Sequence, residues 1–256
     1  MSVAVRELPG VRRVEQIMGL PVVVDVRDDG EAGPALDQLF DWLRWVDAAF
    51  STFKEDSEIS RINRGGLHRE DAHPDVRQVL DRCERLRDET DGYFDMRTPD
   101  GSVDPSGLVK GWAVDRAAAI LDGAGLHNYA VSAGGDMRVL GRAIPDLAWR
   151  VGIQHPLDRQ QVAAVIETST DLAIATSGAY ARGEHVWDPH SGRPPVGILS
   201  VTIVGAELAT ADAYATAAFA MGAELAPHWT ARLHRYEAMT ILADETVFKT
   251  GGFPDE

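Results

Sequence analysis

The chain has 256 residues, 45% of them hydrophobic, with 40 acidic against 25 basic side chains, a net charge of −15 and one cysteine. That is enough chain of ordinary globular composition to bury a substantial core. The negative field repels nucleic-acid phosphates and anionic membranes, which excludes a general nucleic-acid binder, and a lone cysteine excludes an internal disulfide or a multi-cysteine metal centre. No window reaches the ~20 apolar residues of a membrane span. The N-terminal MSVAVRELPGVRRVEQIMG lacks the continuous apolar core of a signal peptide. The expected location is the cytoplasm.

In chain order, residues 12–18 and 21–27 read as two β-branched strands broken near Gly19. From Pro34 to Phe50, Leu36, Leu39, Phe40, Leu43 and Val46 recur at helical spacing. Ser57 is suited to cap a short turn carrying Ile59 and Ile62, ended by Asn63-Arg64-Gly65-Gly66. A further helix is predicted over 74–90 with Pro74 in its first turn, and it places Cys83 among Val79, Leu80 and Leu86 as a buried structural thiol. Residues 103–136 read as a loop carrying Gly107, Lys110 and Gly111, then a helix from Trp112 closed by Gly123 and Gly125. A short strand over 128–132 and a Gly134-Gly135-Asp136 turn complete that stretch. Strands follow at 137–140, 149–154, 162–167, 172–176 and 199–204, helices at 208–221 and 223–234, and strands near 239–242 and 246–249. With no repeat, low-complexity run or composition shift, residues 1–256 read as one α+β domain, an antiparallel-rich sheet with packed helices.

Four features carry chemistry. A lysine among glycines at a helix start is a phosphate cradle in the making, because free amides and the positive helix end favour anions; ordinary turn glycines beside a solvated lysine are the alternative. Asp212 and Thr216, four apart, share a helix face and offer the oxygen ligands that suit Mg²⁺, or else Asp212 or Thr210 caps the helix and Thr216 only packs. His185 opens HVWDPHSGRPP, whose Asp188-Pro189 and Gly192 turns are able to hold an imidazole in place, catalytic or merely hydrogen-bonded. Ser177-Gly178 at a strand end lets backbone approach a ligand but is not a hydrolase elbow, since Ala175 stands two residues before the serine.

Taken together and in order, Met18-Gly19, STFKEDSEISRIN (51–63), DGYFD (91–95), VDPSGLVKGWAVD (103–115), GGD (134–136), ATSGAY (175–180), HVWDPHSGRP (185–194) and ADAYATA (211–217) resemble the ApbE-like FAD:protein FMN transferases. The resemblance covers about residues 12–222. It implies a Mg²⁺-dependent enzyme that splits FAD and attaches the FMN half to a threonine or serine hydroxyl of a target flavoprotein, releasing AMP. It further implies metal ligands at Asp212, Thr216 and the backbone oxygen of Val109, with flavin-nucleotide contacts from Met18, Phe53, Asp95, Lys110, Asp115, Asp136 and Ser177. Lys110 and His185 fall where the resemblance puts the catalytic groups, His185 as proton acceptor. Members usually carry Met-Gly-Thr and Asp-Leu-Gly where this chain has Met18-Gly19-Leu20 and Asp104-Pro105-Ser106, and only seven residues join Asp95 to Val103, where many have a longer insert. FAD hydrolysis to FMN and AMP, or flavin binding without turnover, are the alternatives.

Overall fold

The structure is a computed structural model and describes residues 9–178 and 186–255. Eight strands make one sheet in the order β1-β2-β3-β4-β8-β9-β10-β11, every pairing antiparallel. They are β1 (Val11–Ile17), β2 (Leu20–Val26), β3 (Tyr129–Ala133), β4 (Asp136–Leu140), β8 (Leu172–Gly178), β9 (Ile198–Gly205), β10 (Tyr236–Leu242) and β11 (Val247–Lys249). A second sheet joins β5 (Arg142–Ile144), β6 (Leu147–Gln154) and β7 (Val162–Thr168). With the helices this is the expected α+β class.

Five α-helices are described: α1 (Gly33–Phe50), α2 (Glu58–Asn63), α3 (Pro74–Glu89), α4 (Ser106–Gly123) and α5 (Leu208–Thr230). The main core is shared by α1, α4, α5 and one sheet face, through Leu39, Leu43, Val114, Leu121, Val131 and Ile203 among others. A smaller core holds Ile153, Ile166, Ile174, Met239 and Ile241, where the second sheet packs against the main one. The alternation of apolar residues along β2, with Val22, Val24 and Val26 fully buried, is the period-2 pattern that binds a strand to such a core. No helix among the described residues is long and apolar enough to cross a membrane.

Local chemistry explains most element ends. Pro74 occupies the first turn of α3, and the Ser57 hydroxyl accepts the Ser60 amide at 3.0 Å to start α2. Two two-residue turns lie side by side at one end of the sheet. Met18 and Gly19 join β1 to β2 at φ 57° and 69°, and Gly134 and Gly135 join β3 to β4 at 60° and 102°. Two successive positive φ values give the turn whose twist suits a hairpin. Glycine adopts them freely, whereas Met18 does so against the usual steric preference.

The structure corrects two local expectations. Gly107, Lys110 and Gly111 do not lie in a loop before the helix; α4 begins at Ser106 and contains all three. Glycine disfavours a helix, but a side chain at Gly111 would place its Cβ 2.5 Å from the Leu208 carbonyl oxygen of α5. Close helix packing at that point outweighs local propensity. The helices expected at 208–221 and 223–234 form one element broken at Gly222, φ 69° and ψ −172°, which ends at Thr230.

Candidate functional site

Helices α4 and α5 run antiparallel, and three contacts, each one turn from the next, clamp them together. Gly107 faces Thr216, its added Cβ falling 3.6 Å from the Thr216 hydroxyl oxygen. One turn on, the Gly111 amide donates to Asp212 Oδ2 at 3.0 Å. One turn further, Asp115 accepts the Leu208 and Ala209 amides at 3.0 and 2.8 Å. The Gly111 amide is the group that a regular helix aims at the Gly107 carbonyl.

Lys110 projects from α4 between two buried carboxylates. Its Nζ lies 2.5 Å from Asp136 Oδ2 and 3.4 Å from Asp212 Oδ1, the two carboxylates being 1% and 3% exposed by residue. Asp136 opens β4 directly after the Gly134-Gly135 turn, and its Oδ1 accepts the Thr176 amide at 3.0 Å. Among the described residues, one partly exposed ammonium here faces two buried carboxylates. Burial raises the Asp212 carboxyl well above the ordinary carboxylate range, opposed by Lys110 and reinforced by Asp136.

Two cavities meet at Lys110. One of about 140 Å³ is lined by Asp95, Gly107, Lys110, Ser177, Asp212 and Thr216, with Tyr93, Trp187 and Pro189 at its sides. The other, about 370 Å³, is bounded by Met18, Gly19, Phe50, Phe53, Val109 and Lys110. Asp104, Ser106 and Lys110 line both. A third, about 200 Å³, lies behind the Gly134-Gly135 turn against β6 and touches Asp136 and Thr176.

The residues singled out in the sequence therefore separate into groups. Lys110, Asp136 and Asp212 form the cluster, and Thr216 and Ser177 stand beside it with their hydroxyl oxygens 3.4 Å apart. Asp95 lines the smaller cavity while pairing with Arg87 at 3.0 Å. Met18 and Phe53 edge the larger cavity, Phe53 being 96% exposed. Val109 lines the larger cavity and not the smaller one that Asp212 and Thr216 line, whereas Gly107 lines the smaller one beside them. Asp115 lines none of these cavities, since its carboxylate is spent on the start of α5 and on Arg138, 2.6 Å away. His185 lies outside the described residues, although Val186 and Trp187 after it reach the smaller cavity. Neither Asp212 nor Thr210 caps α5: Thr210 bonds Glu207 and Arg82 instead.

Sequence reasoning placed Gly107 in a loop and gave no site role to Asp104 or Asn63. Asn63 brackets the backbone of Val103 with two bonds, 2.8 and 2.9 Å, and so fixes the loop entering α4. The signal for all three was their place inside the quoted motifs.

Among the described residues no cluster of three His, Cys, Asp or Glu is arranged to hold a metal. An oxygen set of Asp212, Thr216 and the Gly107 carbonyl nevertheless fits a hard cation that keeps positions open for phosphate oxygens.

The α+β fold thus places a half-buried lysine, paired with two buried aspartates, at the junction of two cavities. The chain belongs to the ApbE family, whose model matches residues 18–99 and 97–240. Over 136 residues it is 39% identical to the FAD:protein FMN transferase of Vibrio cholerae, the match covering 49% of this chain and 40% of that protein. It is 34% identical over 143 residues to the protein of the same name from Escherichia coli, covering 52% of this chain and 41% of the other. These matches thus span about two fifths of those relatives' length. The solved structure of the flavin transferase ApbE from Vibrio cholerae superposes with a TM-score of 0.84 at 25% identity, covering 95% of this chain and 97% of that one.

Proposed function

We propose that this protein transfers FMN from FAD to a threonine or serine hydroxyl of a target flavoprotein with Mg²⁺, releasing AMP. The observation that carries the reading is the meeting of two cavities at Lys110, which suits a dinucleotide with its pyrophosphate at the junction and a planar group in each cavity. The names of the similar proteins support it. Residues 1–256 act as one unit in this reading, in keeping with a sheet that runs from β1 near the N-terminus to β11 near the C-terminus.

The acceptor oxygen bonds to the phosphorus of the FMN half, the anhydride P–O bond breaks, AMP leaves with the bridging oxygen, and the hydroxyl proton passes to a base. Asp212, Thr216 and the Gly107 carbonyl would hold Mg²⁺, which when bound neutralises phosphate charge and aligns the leaving group. Lys110 presents its ammonium to the pyrophosphate, and Asp136 keeps that ammonium aimed and charged. Met18 and Phe53 bound one planar group, while Asp95 and Ser177 bound the other. His185 takes the hydroxyl proton.

The test is a mixture of protein, FAD, Mg²⁺ and a threonine-bearing acceptor flavoprotein, resolved by nucleotide chromatography. Transfer gives AMP without free FMN and stops when EDTA removes the metal. Equal free FMN and AMP would mean hydrolysis, and unchanged FAD would mean a binding protein; either result rejects the proposal.

A further inference from the structure

We infer that Asp115 is a positioning residue. It caps the start of α5 from a neighbouring helix, thereby setting where Asp212 stands, and it does not contact the flavin nucleotide. The inference rests on the reading of Asp212 as a metal ligand.

The first amides of a helix need partners that the helix itself cannot give. Glu207, at the cap position of α5, makes no side-chain cap; its carboxylate is turned to Arg82, at 2.6 and 3.0 Å, and to Thr210. Both oxygens of Asp115 fill that place, one on the Leu208 amide and one on the Ala209 amide. A negative group there also complements the positive end of the helix.

The consequence reaches the site through spacing. On α4, Gly111 and Asp115 are four residues apart; on α5, Leu208 and Asp212 are four apart in the opposite direction. The Asp115–Leu208 and Gly111–Asp212 contacts are thus two rungs one turn from each other. A slip of α5 by one residue carries Asp212 about 1.5 Å along the axis. Such a shift would break the 3.0 Å bond from Gly111 and alter the 3.4 Å approach of Lys110. Arg138 fixes Asp115 in turn, bonding it at 2.6 Å and holding Asp171 by two further bonds of 3.0 and 2.6 Å. Arg138 lies on β4, the strand that Asp136 opens, so one strand steadies both partners of the α4 face. None of the three cavities described above is lined by Asp115.

Asp115→Ala and Asp115→Asn, each in the full chain, test this with three readouts. These are hydrogen exchange of the peptide bearing residues 208–216, Mn²⁺ affinity followed by its electron paramagnetic resonance with FAD present, and FAD affinity at saturating metal. For Asp115→Ala the first-turn amides should exchange at least about tenfold faster and Mn²⁺ should bind about tenfold more weakly, the scale of losing a helix cap. FAD affinity should stay within about twofold, since no nucleotide contact is removed. Asp115→Asn keeps one acceptor oxygen and should fall between; it also serves if the alanine variant fails to fold. Weakened FAD binding with unchanged Mn²⁺ affinity would make Asp115 a ligand contact and overturn the inference. A lowered melting temperature with wild-type Mn²⁺ affinity would reduce Asp115 to general stability and overturn it equally. If the wild type binds no Mn²⁺, the metal reading fails instead, and exchange at 208–212 alone decides whether Asp115 caps the helix.

Discussion

Lys110 reaches from the second turn of α4 to Asp136 at the head of β4, with 2.5 Å between Nζ and Oδ2. The ion pair is largely buried, and it ties the helix that carries the cation to the hairpin turn beside the cavities. Such pairing holds an ammonium charged and pointed, at the cost of part of its attraction for a second anion.

Lys110→Met follows from that geometry. FAD affinity should fall by about tenfold or more, since charge-assisted hydrogen bonds contribute roughly 1.5–3 kcal/mol. Riboflavin has no phosphate and should bind nearly as before. Flavin fluorescence titrations compare the two; equal losses would show that Lys110 does not face phosphate.

Gly111→Ala probes the packing that lets α4 and α5 touch. The new methyl meets the Leu208 carbonyl and the Ala209 backbone at 2.5–2.8 Å, atoms that cannot turn aside as a flexible side chain would. Overpacking of that kind costs about 1–3 kcal/mol, so the urea midpoint should drop. The Asp212 contact should loosen with it. An unchanged midpoint would mean that the two helices separate at no cost.

Cys83 is fully buried on α3, and burial pushes its thiol from 9.0 up to about 12. Iodoacetamide at pH 8 should leave the native protein unlabelled and modify it completely in urea, because only the thiolate reacts. The sign of the pH effect follows from linkage. The neutral thiol's contribution to stability is complete below about pH 9 and is lost as pH climbs towards about 12, where only the unfolded chain ionises easily. Cys83→Ala should lose less stability over that interval than the wild type does. Rapid labelling of the native protein would contradict the burial.

His185→Asn separates chemistry from loop shape at a residue outside those described. The amide cannot accept a proton at neutral pH, so a base role predicts unchanged FAD affinity and a rate lower by about 10²–10⁴-fold. A purely structural histidine would leave most of the rate and the same pH profile.

The sequence declared most of this architecture through local signals. Alternation marked β1 and β2, helical spacing marked α1 and α3, and Gly222 marked the break in α5. What escaped was set by contacts distant in the chain. The start of α4 was hidden because Gly107 and Gly111 look like loop residues until Thr216 and Leu208 are seen packed on them. Strand β5 is three residues long with an irregular register against β6, too short for a period to show. At the site, the pairing of Asp212 with Thr216 was legible from their spacing. The partnership of Lys110 with Asp136, 26 positions on, and the engagement of Asp115 with α5, 93 positions on, were not.

The central claim is that bond exchange at phosphorus takes place beside Asp212 and delivers FMN to a protein hydroxyl. Intact mass spectrometry of the acceptor after incubation with FAD and Mg²⁺, using wild type and Asp212→Asn in parallel, tests it most directly. With wild type, the acceptor should gain one FMN, less water, for each AMP released. With the variant, in which the proposed metal ligand loses its charge, the rate should fall by about 10³-fold, the scale of a metal contribution of several kcal/mol, while the melting temperature stays near that of the wild type. An acceptor that keeps its mass while AMP accumulates, or a variant that transfers FMN as fast as wild type, would contradict the account.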